Sequence, residues 1–117
     1  MADAEPLVRA FYTALDEHNY DDLASLIASD FIHYRPDRTF EGRTAFVSFM
    51  RDGRPMTDTA HELERVFLHA DGAAVQGQLL DSNDEALFGF VDVHTVSDEQ
   101  ITSVRTYTQS HSDSVES

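Results

Sequence analysis

Apolar residues at Leu7, Val8, Phe11 and Leu15 recur at the spacing of one helix face. That spacing predicts an amphipathic helix from Leu7 to His18, with Asp3 or Ala4 leading in and Pro6 tolerated in the first turn. Asn19 then offers an N-cap for a second, shorter helix; Asp21 and Asp22 suit its positive end, and Leu23, Leu26 and Ile27 form its buried stripe. Alternation from Asp30 to Arg35 predicts a short strand with Phe31, His33 and Arg35 on one face, stopped by Pro36. After Glu41-Gly42, a third helix from Arg43 to Arg51 turns Phe46, Val47, Phe49 and Met50 toward a core and ends at Gly53.

The period then changes from helical to strand-like. Thr59 to His69 and Ala73 to Asp81 flank Ala70-Asp71-Gly72-Ala73, where Asp-Gly is a hairpin signal. Glu85 to Val96 reads as a third long strand, Ser97 to Gln100 as a turn, and Ile101 to Thr108 as a fourth. The order predicts an α+β domain over residues 1–108, three N-terminal helices covering one face of a curved antiparallel β-sheet. Residues 109–117 read as a polar, disordered tail. On the strand from Leu87 to Val93, Phe88 and Phe90 share a face with Asp92 and His94, while Leu87, Val91 and Val93 share the other. Both faces need cover, and a homodimer built sheet to sheet is the simplest expectation for the outer one.

Composition narrows the partners. The chain has 117 residues, 22 acidic against 8 basic, and a formal net charge of -14. All 8 basic residues are Arg. Such charge repels nucleic acid and anionic membranes, and neither is expected as a partner. The absence of Cys excludes disulfides, thiolate zinc sites and cysteine nucleophiles. At molar salt the screening length shrinks to ~3 Å, so a dense acidic surface without Lys is tolerable there. The reading is a soluble, cytoplasmic protein of an extreme halophile. The acidic N-terminus does not read as a secretory signal, and the apolar stretches are too short to span a bilayer.

Phe11-Tyr12-x-Ala14-Leu15, Asp21-Asp22-Leu23-Ala24, Asp30-Phe31, Pro36, Phe40-Glu41-Gly42-Arg43, Asp92-Val93, Ile101 and Tyr107 together resemble the SnoaL-like branch of the nuclear transport factor 2-like superfamily. The resemblance implies a cone of three helices wrapped by a bent sheet, with a pocket in the cone and dimerisation through the sheet. Relatives include ketosteroid isomerases, polyketide cyclases, epoxide hydrolases and dehydratases, alongside binding proteins without chemistry, so fold alone does not assign a reaction. Against ketosteroid isomerase, the oxyanion aspartate falls on Asp92, the general-base position on Arg35 and the oxyanion tyrosine on Phe11, with Tyr12 one position off the required face.

Two chemistries follow for Asp92. Beside His33 it would orient an imidazole acting as general acid or base; beside Arg35 it would form a buried ion pair. An inward guanidinium at Arg35 has a second use, capture of a substrate carboxylate. The expected catalytic residues are thus Asp92 and His33, and the expected substrate-binding residues Arg35, Tyr12, Phe11, Phe49, Phe88, Phe90 and His94. No metal site is expected: His61-Glu62 lacks the second histidine of a helical zinc motif, and the Asp81-x-Asn83-x-Glu85 run has Ala86 where a calcium loop needs Gly. No phosphate or dinucleotide loop is present, so no cofactor is expected. The leading expectation is a cofactor-independent isomerase-, cyclase- or hydratase-type enzyme for a small, partly apolar carbonyl or hydroxy compound. The alternatives are a domain that binds a small molecule unchanged and a structural dimer module.

Overall fold

The first helix, α1 (Ala4–Asp16), buries Val8, Phe11, Tyr12, Ala14 and Leu15, a wider stripe than the Leu7-Val8-Phe11-Leu15 pattern marks. In the computed structural model, which describes residues 4–54, 56 and 58–110, α1 is followed by α2 (Tyr20–Leu26), β1 (Ile27–Tyr34), β2 (Thr39–Glu41) and α3 (Arg43–Ser48). A wider, π-type turn over Phe49–Gly53 continues α3. The meander then runs β3 (Ala60–His69), β4 (Gly72–Leu80), β5 (Ala86–Ser97) and β6 (Gln100–Ser110). The Asn19 side chain caps α2 by accepting from the Asp22 amide at 3.3 Å.

One six-stranded sheet forms in the order β2-β1-β6-β5-β4-β3. The meander is antiparallel as expected, but β1 lies parallel to β6, with His33 opposite Val104, so the sheet is mixed. Ile27 opens β1 opposite Ile101 and does not belong to α2. A buried apolar residue at the boundary fits both periods, and its β-branched side chain settles into the extended state. β6 continues through Ser110, two residues into the expected polar tail, because Gln109 and Ser110 find partners in Gly89 and Phe88 of β5. Residues 111–117 and the Asp3 helix lead-in lie outside the described residues.

Two hairpins show different turn chemistry. Between β3 and β4, Gly72 opens β4 at a point where a Cβ would stand 2.0 Å from the His94 carbonyl oxygen, so the glycine of the Asp-Gly signal serves a close backbone approach. Between β5 and β6, Asp98 and Glu99 both take positive φ, 54° and 65°, the geometry of a two-residue turn that favours Asn-Gly. Glu99→Gly is therefore expected to stabilise the protein by about 0.5–1 kcal/mol, after the unfolded-state entropy of glycine is set against the relieved backbone. Urea unfolding reads it; no gain would mean that the turn is unstrained.

The helices lie on the concave face of the sheet. Val8, Leu23, Ile27, Phe31, Phe46, Val75, Ile101 and Val104 are fully buried between them. Phe46 is central: its ring meets Phe31 at 4.8 Å and Phe11 at 6.0 Å. This aromatic layer is the floor on which the cavity sits.

Candidate functional site

Strand pairing brings polar residues of distant sequence to one place. Asp92 on β5 is the direct cross-strand partner of Thr106 on β6, and the Thr106 hydroxyl donates to Asp92 Oδ1 at 2.6 Å. The Tyr12 hydroxyl on α1 donates to Asp92 Oδ2 at 2.7 Å. His33 on β1 sits opposite Val104, and its Nε2 reaches the next inward position on β6, Thr106 Oγ1, at 2.8 Å. On the other side, His94 Nε2 lies 2.7 Å from the Tyr12 hydroxyl oxygen. The result is one continuous chain, His33–Thr106–Asp92–Tyr12–His94.

The polarity of that chain follows from donor counting. With Asp92 ionised, both hydroxyl protons point at its carboxylate, so Thr106 and Tyr12 have only lone pairs left for the histidines. His33 and His94 must then each carry the proton on Nε2. Their Nδ1 atoms are left as bare acceptors, and both are buried without a hydrogen-bond partner among the described residues.

Burial sets the charge states. It is the main force raising the Asp92 carboxyl above its usual range, opposed by the hydrogen bonds from Thr106 and Tyr12 and by the His61 and Arg35 charges. Burial, then the Asp92 charge, holds the Tyr12 phenol well above its ordinary value. His33 is pushed down to about 3 by burial and then by Arg35, against a smaller opposing effect of Asp37. His94 is likewise pushed down to about 3, by burial and then by the His33 charge. At neutral pH this leaves Tyr12 a phenol and both imidazoles neutral.

A cavity of about 540 Å³ opens over this network. Phe11, Tyr12, Phe46, Phe49, Phe88 and Phe90 supply much of its apolar wall, and Asp92, His33, Thr106, Arg35 and His61 its polar points. Asp92 is only 7% exposed, at the bottom. Of the residues expected to meet a ligand, His94 is the exception: it is fully buried, behind Tyr12 and the Phe11 ring 5.4 Å away, and does not line the cavity. Alternation placed it on the correct face but could not register that α1 covers this end of β5. Tyr12 corrects the reading in the opposite sense. Neighbouring helix positions differ by about 100°, yet the buried stripe of α1 is broad enough to hold Phe11 and Tyr12 together, and Tyr12 is the one that reaches Asp92. Neither pairing foreseen for Asp92 is direct: Thr106 stands between it and His33, and Arg35 pairs through Nε with Asp37 Oδ1 at 3.2 Å.

Sequence reasoning missed a second polar point. Asp16, the last residue of α1, accepts the His61 amide at 3.0 Å and faces His61 Nδ1 at 2.6 Å. His61 begins the inward face of β3, its ring 5.1 Å from that of Tyr12 and 5.6 Å from that of Phe90. Double anchoring of one edge leaves Nε2 without a hydrogen bond among the described residues, on a ring that lines the cavity. A separation of 45 residues hid this pair, because no local pattern joins a helix end to a later strand. Among the described residues no group of three or more His, Asp or Glu converges as a metal site.

A mixed sheet curved around three helices, with an apolar cavity in its mouth, is the architecture of the nuclear transport factor 2-like superfamily. An NTF2-like protein of unknown function from Cytophaga hutchinsonii superimposes with a TM-score of 0.80 at 16% identity, over 93% of this chain and 92% of that one. A candidate ketosteroid isomerase from Kribbella flavida matches at 0.79 and 21% identity, over 91% and 77%. An LEH-like epoxide hydrolase from M. tuberculosis matches at 0.73 and 21% identity, over 91% and 82%. No curated protein matches the sequence significantly. Within the superfamily, residues 8–104 match the model of the SnoaL-like domain, and the chain belongs to that family.

Proposed function

We propose that the protein is a cofactor-independent acid/base enzyme for a small, partly apolar carbonyl or hydroxy compound. The observation that carries this reading is Asp92, a carboxyl at the bottom of an aromatic cavity, raised by burial and held by two hydroxyl donors. An apolar surround makes a carboxylate a stronger base toward a carbon-bound proton, and fixed hydroxyl donors aim its free lone pairs at the cavity. In the proposed step Asp92 removes a proton next to a carbonyl, and His61 Nε2 exchanges a proton with the substrate oxygen. His33, held neutral, serves as a positioning residue that steadies Thr106. Solved structures that bear the names of a ketosteroid isomerase, a polyketide cyclase and an epoxide hydrolase share this fold, which supports the class but not a particular substrate.

Proton exchange tests the reading without knowledge of the natural substrate. A panel of cyclic ketones and enones in deuterium oxide, followed by NMR, is expected to show protein-dependent exchange next to the carbonyl that Asp92→Asn removes. Exchange unchanged by Asp92→Asn would end the role of Asp92. A panel compound retained unaltered would favour a small-molecule-binding domain instead.

The wider expectations join this proposal. Val91 and Tyr107 are cross-strand partners on the outer face of the sheet, 37% and 56% exposed, which supports a sheet-to-sheet homodimer. The net charge of -14 without Lys supports adaptation to high salt in a cytoplasmic setting. One series of melting curves and sedimentation runs from low to molar KCl addresses both. Melting temperature and dimer fraction are expected to rise together; a melting temperature that does not rise sinks the salt reading, and a monomer throughout sinks the dimer. Among the described residues no helix is long and apolar enough to cross a membrane.

A further inference from the structure

We infer that the ligand of this cavity carries a carboxylate, held at the rim by Arg35, with its apolar body directed down toward Asp92. The inference deepens the proposed function by naming the substrate class, and it rests on that reading only in taking the cavity as the binding site. Across the chain, acidic residues outnumber basic ones 22 to 8. The cavity lining breaks this ratio, with Arg35 and Arg54 against Asp37 and Asp92. A chain so poor in cations places two of them on one apolar cavity.

Arg35 is built to be held still while keeping donors unspent. Its guanidinium carbon lies 5.6 Å from the Phe49 ring centre and 5.9 Å from that of Phe40, and Arg38 packs on the same two rings at 5.2 and 5.7 Å. Its ion pair with Asp37 runs through Nε at 3.2 Å, and Nη1 and Nη2 make no hydrogen bond among the described residues. Asp37 is 56% exposed and is shared with Arg38 at 3.9 Å, a loosely held surface carboxylate. It occupies the place of a ligand carboxylate without filling the two-pronged face that a guanidinium offers.

Geometry sets the length of such a ligand. Arg35 lines the same cavity one residue past the end of β1, two positions and about 7 Å of extended chain beyond His33, and His33 reaches Asp92 through the Thr106 hydroxyl. A carboxylate at Arg35 therefore places a carbon a few bonds away over Asp92. Neutralising Arg35 also removes a cation whose field opposes protonation of Asp92. Ligand binding would then make the carboxylate at the bottom a better base at the moment the substrate arrives.

The test is a matched pair, phenylbutanoate and phenylbutanamide, titrated calorimetrically into the full-length protein at 150 mM KCl. The carboxylate is expected to bind about tenfold tighter than the amide, the scale of one charge-assisted bidentate contact at a partly exposed site. Arg35→Gln should bring the ratio to near one. Arg9→Gln removes the same charge from an exposed ion pair with Glu5 on α1 and should leave the ratio intact. Asp37→Asn, by releasing Arg35, should tighten carboxylate binding several-fold. Equal affinity for the two probes, a ratio untouched by Arg35→Gln, an equal drop in Arg9→Gln, or no binding of either probe overturns the inference. Turnover plays no part in the measurement, so a preference that survives in Asp92→Asn separates this inference from the catalytic role of Asp92.

Discussion

Asp92→Asn is expected to cut proton exchange by a factor of about 10² to 10⁴, the range for removal of a positioned base, while leaving the protein at least as stable as its parent at pH 8. The second half of the expectation follows from linkage. The folded-state carboxyl is raised above its unfolded value, chiefly by burial. Its stabilising, protonated form is fully present only below the unfolded value, near pH 4, and is lost as pH rises through the folded value. On the alkaline side an ionised Asp92 is thus a cost, which an amide of the same shape does not carry. The hydrogen-bond chain can adapt. Tyr12 lies 2.7 Å from His94 Nε2 as well as from Asp92, so once His94 shifts its proton from Nε2 to Nδ1 the phenol proton can turn to the histidine and leave its oxygen to accept from the new amide. Thermal unfolding at pH 8 and pH 4 checks the sign: the variant should gain on the parent at the higher pH and not at the lower. A variant that loses ground at pH 8 would make Asp92 a structural anchor.

His94→Phe is expected to flatten the acid side of the stability curve. His94 titrates near 6.5 when unfolded and is held down to about 3 when folded. Its contribution is present above the unfolded value and disappears as pH falls toward the folded one, at about 1.4 kcal/mol per pH unit. Between pH 6.5 and pH 5 the parent should therefore lose about 2 kcal/mol relative to the variant. The comparison is needed because His33 adds a second loss of the same sign, while Asp92 and the acidic surface move the other way. Packing changes caused by Phe are independent of pH and cancel in the slope. Urea unfolding of both proteins at pH 7, 6 and 5 gives the answer; a constant difference would show that His94 is not held neutral.

Local signals carried most of the architecture. Asn19 announced a cap, the shift from helical spacing to alternation announced the meander, and Asp71-Gly72 announced its first hairpin. What escaped were relations between distant segments. Nothing near Ile27 or near Ile101 says that the two will lie side by side in parallel. The same limit applies to the site. Asp92, Phe88 and Phe90 were legible as one face of one strand, but the Thr106 bridge, the Asp16–His61 pair and the covering of His94 by α1 each depend on where another element docks. Tyr12 was misjudged for a related reason: spacing gives the direction of a helical side chain but not the breadth of the groove that receives it.

The parallel ladder between β1 and β6 also governs the order of events during synthesis. β1 is complete at Tyr34, yet the strand that pairs along it begins at Gln100. Until that strand emerges, β1 has only the short β2 for a sheet neighbour, although α1 can already meet His61 of β3. Closing so long a loop is entropically costly and slows the committed step. The domain thus closes only once the segment from Gln100 has been made, and a ribosome stalled before Gln100 would present an unsealed sheet edge along β1 to the chaperones of the cell.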